Sequence, residues 1–265
     1  MAPVKSPAKR PVAKAAKAPA ARRTLAEVMK ALEKEGSAQT RKTYARHGAV
    51  EPMFGVSFAA LKALHKRIGV DHDLARALWD TGNFDARNLA VKVVDPARMS
   101  SSDLDRWARD NSVRMCTLYV SALAAEGPHG SAKSAQWLSS KEEVVRCTGW
   151  GLVGQMVARA EGLPDSWFAD RLAEIERGIR SAPNQERYAM NGTLIAIGGR
   201  SPALRKAALA AAKRIGRVEV DHGDTSCKTP EAAPYIEKMW AHAAAGKFDS
   251  PAARERAMES PRTRC

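Results

Sequence analysis

Apolar residues recur at helical spacing through most of the chain, and helix-start and helix-stop residues bound each run. Thr24 opens one predicted helix, which ends at Gly36, and Ser57 opens another, which ends at Gly69. A further helix is expected over residues 38–47. Nowhere does the sequence alternate apolar and polar residues as a half-buried strand would. The pattern therefore predicts an all-α fold.

A two-helix motif repeats through the middle of the chain. In each copy a Trp or Ile near the end of one helix is followed, seven to nine residues later, by an Arg in the first turn of the next. The pairs are Trp79 with Arg87, Trp107 with Arg114, Trp137 with Arg146 and Ile179 with Arg187, and Arg205 marks a truncated fifth copy. Steps of 27, 32 and 41 residues between the arginines are typical of a helical-repeat solenoid, whose units bury their apolar faces against their neighbours. We therefore expect a curved superhelix with one long concave surface.

The recurrence of these arginines needs an explanation, because Arg in the first turn of a helix opposes the helix dipole. In one interpretation, each Arg pairs with an acidic or carbonyl group of the preceding repeat. In the other, Arg87, Arg114, Arg146 and Arg187, here called the arginine series, present guanidinium groups to phosphates along the concave face. Both interpretations stay open, and they can hold at different positions.

The charge of the chain indicates a polyanionic partner. Its 265 residues contain 43 Lys and Arg against 29 Asp and Glu, which gives a net charge of +14, and nucleic acid is the first candidate. Residues 1–23 contain no acid and no aromatic residue, so they predict a disordered basic tail that binds nucleic acid without reading its sequence. Its cations are Lys5, Lys9, Arg10, Lys14, Lys17, Arg22 and Arg23. We expect one repeat domain over residues 24–245 and a frayed tail over residues 246–265.

Chemistry-bearing motifs are sparse. Four cysteines in no paired spacing, and no signal peptide or membrane span, indicate a cytoplasmic protein and are compatible with association with the nucleoid. The string DHGDTSC brings together possible metal ligands, but their mixed hard and soft character favours a structural turn. These residues are Asp221, His222, Asp224 and Cys227. Asp71, His72 and Asp73 are interpreted as a helix cap. The sequence contains no Gly-rich phosphate loop and no nucleophile motif, so nothing in it favours nucleotide hydrolysis or acyl transfer. We expect no cofactor, no bound metal and a monomer.

The stretch from Met53 to about Ala245 resembles the DNA alkylation repair family, the AlkD-like alkylpurine DNA glycosylases. The resemblance lies in four strings, MFGVSFAALKAL, LWDTGNFDARNLAV, VVRCTGWGLV and KRIGRVEVDHGDTSCKTPEAAPYI. It implies a solenoid of HEAT-like repeats that wraps duplex DNA on its concave face. In active members of the family, it also implies cleavage of the glycosidic bond of N3- or N7-alkylated purines.

The same resemblance implies that the catalytic positions have changed. Val113 occupies the family's aromatic position, and Thr117 occupies the position of its essential carboxylate. A threonine hydroxyl cannot stabilise positive charge developing on the sugar as a carboxylate does. Arg146 matches the phosphate-contacting Arg of the family, whereas a further aromatic wall falls near Asn191 and Gly192. We therefore expect the protein to keep the family's contacts to the DNA backbone and to lack its catalytic residues.

Three functions remain open at this stage. The first is a DNA-binding solenoid with weak or no base-excision activity, which grips double-stranded or branched DNA. The second is an active alkylpurine DNA glycosylase, in which Trp107 and Asp110 replace the family's aromatic residue and acid. The third is a protein–protein scaffold. Thr117 favours the first function over the second, and the high net charge favours it over the third.

Overall fold

The computed structural model describes residues 23–111 and 114–264, and for residues 114–118 it describes the backbone alone. The part of the chain within these bounds is helical without a strand, apart from an isolated bridge between Gly36 and Val56, so the expected all-α fold is confirmed. The helices are α1 (Leu25–Glu35), α2 (Ala38–Arg46), α3 (Phe58–Ile68), α4 (His72–Asp80), α5 (Phe84–Val93), α6 (Ser101–Arg109), α7 (Arg114–Glu126), α8 (Gly130–Leu138), α9 (Glu143–Arg159), α10 (Asp165–Gly178), α11 (Asn184–Ile197), α12 (Pro202–Ile215), α13 (Ala232–Ala245), α14 (Pro251–Arg256) and α15 (Pro261–Arg264).

Local chemistry sets the helix boundaries that the sequence predicts. Thr24 and Glu27 form a reciprocal capping box, in which the Thr24 backbone N–H donates to the Glu27 carboxylate at 2.8 Å. Asp71 caps α4, because its carboxylate accepts the backbone N–H of Leu74 at 3.1 Å. Gly69 ends α3 with φ of +73°, a conformation that glycine adopts without steric cost. The predicted starts of α1 and α4 and the predicted end of α3 are therefore confirmed.

From α4 onward the helices pack as pairs in two rows. The second helices of the pairs, α5, α7, α9, α11 and α13, contact one another in succession and form the more closely packed row. A curved array is packed most tightly on its inner side, so we assign this second-helix row to the concave surface. The first helices, α4, α6, α8, α10 and α12, form the outer row.

Buried tryptophans and small residues hold the repeats together. Trp79 and Trp107, from neighbouring repeats, are fully buried and stack with ring centroids 4.1 Å apart and planes within 5°. Helix α9 lies close to its neighbours because it carries glycine at the contacts. A Cβ on Gly149 would lie 3.1 Å from the Cβ of Trp137, and one on Gly151 would lie 2.6 Å from Oγ of Ser121.

Asp85 connects the start of α5 to the loop that precedes α3. Its side chain is fully buried, and its carboxylate accepts three backbone N–H groups, from Phe54 at 2.6 Å, Gly55 at 3.0 Å and Val56 at 2.9 Å. Gly55 has φ of +79°, and a Cβ there would lie 2.5 Å from the carbonyl oxygen of Ser37. Two of the strings that carry the family resemblance, MFGV and NFDARN, therefore meet in space.

The prediction of a frayed C-terminal tail over residues 246–265 is wrong for the residues that the structure describes. Helices α14 and α15 lie across the C-terminal ends of the second-helix row. The backbone N–H of Ala252 donates to the carbonyl of Gly199 at 3.0 Å, just beyond α11. Arg256 donates to the carbonyl of Ala158 near the end of α9, at 3.3 Å. We call residues 246–264 the C-terminal segment.

Arg262 anchors this segment, and its contacts explain why the prediction failed. The side chain is buried, its Nε donates to Glu126 at 2.6 Å and its Nη1 donates to the carbonyl of Val91 at 2.8 Å. Lys92 in turn donates to the carbonyl of Arg262 at 2.8 Å. A basic residue in a short, aperiodic helix looks solvated in the sequence, because its partners lie more than 100 residues away along the chain.

Candidate nucleic-acid interface

Arg87 joins its own repeat to the next one. Its Nη1 donates to the carbonyl of Asp110 at 2.9 Å, and its guanidinium lies 3.6 Å from the Asp110 carboxylate. The same guanidinium lies 5.1 Å from the centroid of the Trp79 ring, and the indole N–H of Trp79 donates to Asp110 at 2.9 Å. Asp110 thus accepts hydrogen bonds from both the Arg and the Trp of the preceding repeat.

Arg146 repeats this arrangement at the start of α9. Its Nε donates to Glu186 at 2.8 Å, and its Nη1 donates to the carbonyls of Ser140 at 3.0 Å and Lys141 at 2.9 Å. The indole N–H of Trp150 donates to the other oxygen of Glu186 at 3.3 Å. Glu186 is buried in the first turn of α11 and, like Asp110 at the end of α6, its carboxylate meets both an Arg and a Trp.

The other two arginines of the repeated motif, Arg187 and Arg205, have different partners from Arg87 and Arg146. Arg187 donates to the carbonyl of Glu219 at 3.0 Å and to that of Ala182 at 3.0 Å. Arg205 pairs with Glu237 and lies 5.0 Å from the centroid of the Trp240 ring. Because α12 is the first helix of its pair, Arg205 does not continue the series on the second-helix row.

Pairing between repeats is therefore observed at Arg87, Arg146 and Arg187, with partners that the sequence did not predict. The predicted partners lie in the preceding repeat, whereas Asp110, Glu186 and Glu219 all lie in the following one. Each Arg sits at the start of a second helix, so its long side chain spans to the next turn along the array. At Arg87 and Arg146 an acidic residue in the following repeat is the signal that could have identified the direction, whereas at Arg187 the acceptor is the backbone carbonyl of Glu219, which gives no such signal.

Asp105 binds a third tryptophan in a related way. The indole N–H of Trp137 donates to Asp105 at 2.8 Å, and the buried Lys133 donates to the same carboxylate at 2.6 Å. Burial opposes ionisation of Asp105, but the hydrogen bonds from Lys133 and Trp137 outweigh it and lower the pKa of this carboxyl. Asp105, Asp110 and Glu186 therefore each bind a tryptophan side chain and stabilise the fold.

The positions aligned with the family's catalytic residues fall mainly outside the described part of the chain. Val113 and the side chains of Arg114 and Thr117 lie outside the described residues. Of the alternative pair, Trp107 is fully buried against Trp79, and Asp110 is engaged by Trp79 and Arg87. Trp107 therefore presents no surface to a DNA base in this structure.

Of the two residues at the predicted aromatic wall, Asn191 is covered and Gly192 is open. Asn191 is buried and donates to the carbonyl of Pro230 at 2.9 Å, so a segment after α12 covers it. Gly192 is exposed, and a Cβ there would meet no atom within 4 Å. The surface is therefore open at Gly192, and neither of these two residues supplies an aromatic ring.

The remaining candidate groups are structural. Burial, with a further contribution from Glu143 and Glu186, raises the pKa of the Cys147 thiol to about 12, which keeps it protonated and unreactive. In the DHGDTSC string, the Asp221 carboxylate accepts the backbone N–H of Gly223 at 2.8 Å, as a turn requires. Across the described residues, no group of three or more His, Cys, Asp or Glu side chains is placed to hold a metal ion.

None of the described helices is long and apolar enough to cross a membrane.

Positive charge is concentrated at the N-terminal end of the chain. The first 69 residues contain 15 of the 43 basic and 4 of the 29 acidic residues, and therefore carry +11 of the net +14. From Val70 onward, 28 basic residues are balanced by 25 acidic ones. The exposed cations of α1, α2 and α3 that have no acidic partner among the described residues are Lys30, Lys34, Lys42, Arg46, Lys66 and Arg67. Of the predicted tail only Arg23 is described, and it is exposed.

The contacts of Arg146 lead to a testable prediction. Arg146→Ala should lower the free energy of unfolding by about 2–3 kcal/mol, because it leaves Glu186 buried without its cation. Urea denaturation measures this change, and a DNA titration on the same folded variant measures affinity. Arg109→Ala is the matched control, since Arg109 pairs with Glu142 at 3.3 Å with both side chains about half exposed, and its change should stay within about 0.5 kcal/mol. Unchanged stability together with weakened DNA binding would instead identify Arg146 as a phosphate contact.

Comparisons with known proteins agree with this architecture. The family model described as "DNA alkylation repair enzyme" matches residues 28–236. An uncharacterised protein of Listeria innocua is 27% identical over 205 residues, which cover 75% of this chain and 89% of that protein. An uncharacterised protein of Listeria monocytogenes is 26% identical over 205 residues, with the same coverage.

A solved structure is also similar. It is described as "a new family of proteins related to the HEAT-like repeat DNA glycosylases with affinity for branched DNA structures", and it matches with a TM-score of 0.76 and 29% identity. The match covers 85% of this chain and 96% of that one, and it confirms the predicted fold of HEAT-like repeats. Since the family model spans most of the chain and the repeats superimpose, the chain belongs to the DNA alkylation repair enzyme family.

Proposed function

We propose that this protein binds double-stranded or branched DNA through the sugar–phosphate backbone and has weak or no base-excision activity. The observation that carries the proposal is the +11 charge of the first 69 residues. Residues 1–22 contribute +6 of it, and residues 23–69 contribute the other +5, with eight of their nine basic side chains exposed. Such a surface attracts phosphates without reading base sequence. Membership of the family and the similarity to a protein with affinity for branched DNA support the choice of DNA as the polyanion.

Two parts of the molecule contribute to DNA binding in different ways. The N-terminal quarter supplies the electrostatic attraction, because the rest of the chain is nearly neutral. Arg87, Arg146 and Arg187 each donate two or three hydrogen bonds to protein groups, including groups of the following repeat, so they stiffen the array that presents its concave surface to DNA. The protein would act as a monomer on cytoplasmic or nucleoid DNA, and a scaffold that binds only proteins would not need this charge.

A binding titration tests the proposed function. The full chain should bind a duplex with little dependence on its base sequence, and the logarithm of its affinity should fall linearly with the logarithm of salt concentration. Affinity that stays constant from low to high salt, or that is confined to one sequence, would contradict the proposal.

Deleting residues 1–23 tests the contribution of the tail. The deletion removes seven positive charges and leaves Thr24 to cap α1, so DNA affinity should fall and the salt dependence should become shallower, by up to about 6 in slope. The melting temperature should change little, because the segment is expected to lie outside the folded core. A full-length variant with glutamine at all seven basic positions is the control, and it should reproduce the loss. A large drop in melting temperature would show instead that the segment packs on the domain.

A further inference from the structure

A cavity of about 420 Å³ opens between α9, α11, α13 and α14. Its floor is made of small residues, Gly154, Ala196 and Gly199, and its wall includes Tyr235 and Met239 of α13. It is distinct from the arginine series. Arg146 begins α9 and Arg159 ends it, a separation of roughly 20 Å along the helix axis, and the cavity lies at the Arg159 end. Its volume is in the range of sites that hold small organic groups.

Tyr235 gives the cavity an accessible aromatic face. Among the large apolar side chains that the structure describes as exposed, which also include Val50, Val70 and Met258, it is the aromatic one, with 47% of its surface exposed. An aromatic ring at the mouth of an open cavity provides a surface on which a nucleobase stacks, whatever its identity. Met239 beside it adds a polarisable apolar contact.

The rim of the cavity is cationic. Arg159, Lys238 and Arg254 line it together with a single carboxylate, that of Glu255. Glu255 is already bound by Arg264, whose Nη2 donates to it at 2.9 Å. Lys238 and Arg254 are exposed and have no acidic partner in the part of the chain that the structure describes. The cavity therefore pairs an aromatic wall with uncompensated cations, the combination that single-stranded nucleic acid requires.

We propose that this cavity binds an unpaired nucleotide of branched DNA, with its base against Tyr235 and its phosphate toward Lys238 and Arg254. The inference rests on the proposed function and locates the part of the surface that distinguishes a branch from a continuous duplex. Bases inside a duplex have both faces stacked, so they cannot reach Tyr235, whereas an unpaired base at a branch point can. The C-terminal segment is part of this site, because it contributes Arg254 and the α14 wall.

The test compares a forked DNA carrying two unpaired arms with a fully paired duplex of the same length, by fluorescence anisotropy on the full chain. Tyr235→Ala should weaken fork binding by roughly 5- to 150-fold, as expected for the loss of one stacked base, and leave duplex binding within about twofold. Tyr235→Phe should retain the preference for the fork. Because Tyr235 is half exposed, the melting temperature should not change.

Variants that remove a positive charge provide an independent test of the site. Lys238→Gln should weaken fork binding more than duplex binding, whereas Lys206→Gln, which removes an exposed lysine from the outer row, should not change the ratio of the two affinities. A fork preference that survives both Tyr235→Ala and Lys238→Gln would overturn the inference, as would a wild-type protein that binds fork and duplex equally. In either case the proposed function stands if duplex binding remains salt-dependent. A wild-type protein that binds neither DNA would overturn both.

Discussion

Replacing Asp85 with alanine should lower the free energy of unfolding by about 4 kcal/mol. The carboxylate accepts backbone N–H groups from Phe54, Gly55 and Val56 in a fully buried position, and alanine would leave all three donors without a partner. Each buried, unsatisfied donor costs about 1–3 kcal/mol, and a loss of about 4 kcal/mol for three donors corresponds to the lower half of that range, because the donor of Phe54 is only partly buried. Chemical denaturation monitored by circular dichroism measures the change.

A graded series makes this prediction specific. Asp85→Asn keeps one acceptor oxygen, so its loss of stability should be smaller than that of Asp85→Ala. Asp73→Ala serves as the control, since Asp73 forms an exposed ion pair with Arg98 at 3.1 Å and should change stability by no more than about 0.5 kcal/mol. Equal effects of Asp85→Ala and Asp73→Ala would refute the role assigned to the Asp85 network.

The second large effect concerns catalysis. The protein should release no 3- or 7-methylpurine from methylated DNA above the spontaneous rate, because Thr117 stands where the family resemblance places the catalytic carboxylate and Val113 replaces an aromatic residue. Loss of one preorganised electrostatic group costs on the order of a hundred- to a thousandfold in rate. The structure adds that Trp107 is buried and that Asp110 is held by Trp79 and Arg87.

The measurement is base release over time, compared with the same DNA without protein and with binding verified on the same preparation. Robust excision would contradict the prediction, and its loss in Asp110→Asn, with folding checked by circular dichroism, would assign the acid to Asp110. Gain of activity in the double variant Thr117→Asp and Val113→Trp would show that the scaffold keeps the geometry and lacks only the catalytic groups.

The site could be predicted only in part. Sequence spacing identified the arginine series and its two possible roles, but the choice between them depends on which acids come within reach. Asp110 and Glu186 approach Arg87 and Arg146 only when consecutive repeats stack. The cavity at Tyr235 had no sequence signal, because its lining comes from α9, α11, α13 and α14, and a tyrosine in an ordinary helix does not show whether it is buried.

The sequence by itself determined the helices and the repeat. Caps such as Thr24 with Glu27, stops such as Gly69 and apolar residues at helical spacing act over a few residues, so they can be recognised along the chain. The tertiary structure alone decided the partners of the buried charges. Asp85 binds backbone groups about 30 residues away, and Arg262 binds Glu126 at a separation of 136 residues. A buried polar group is stable only with a partner, and for these residues folding brings the partner from a distant part of the chain.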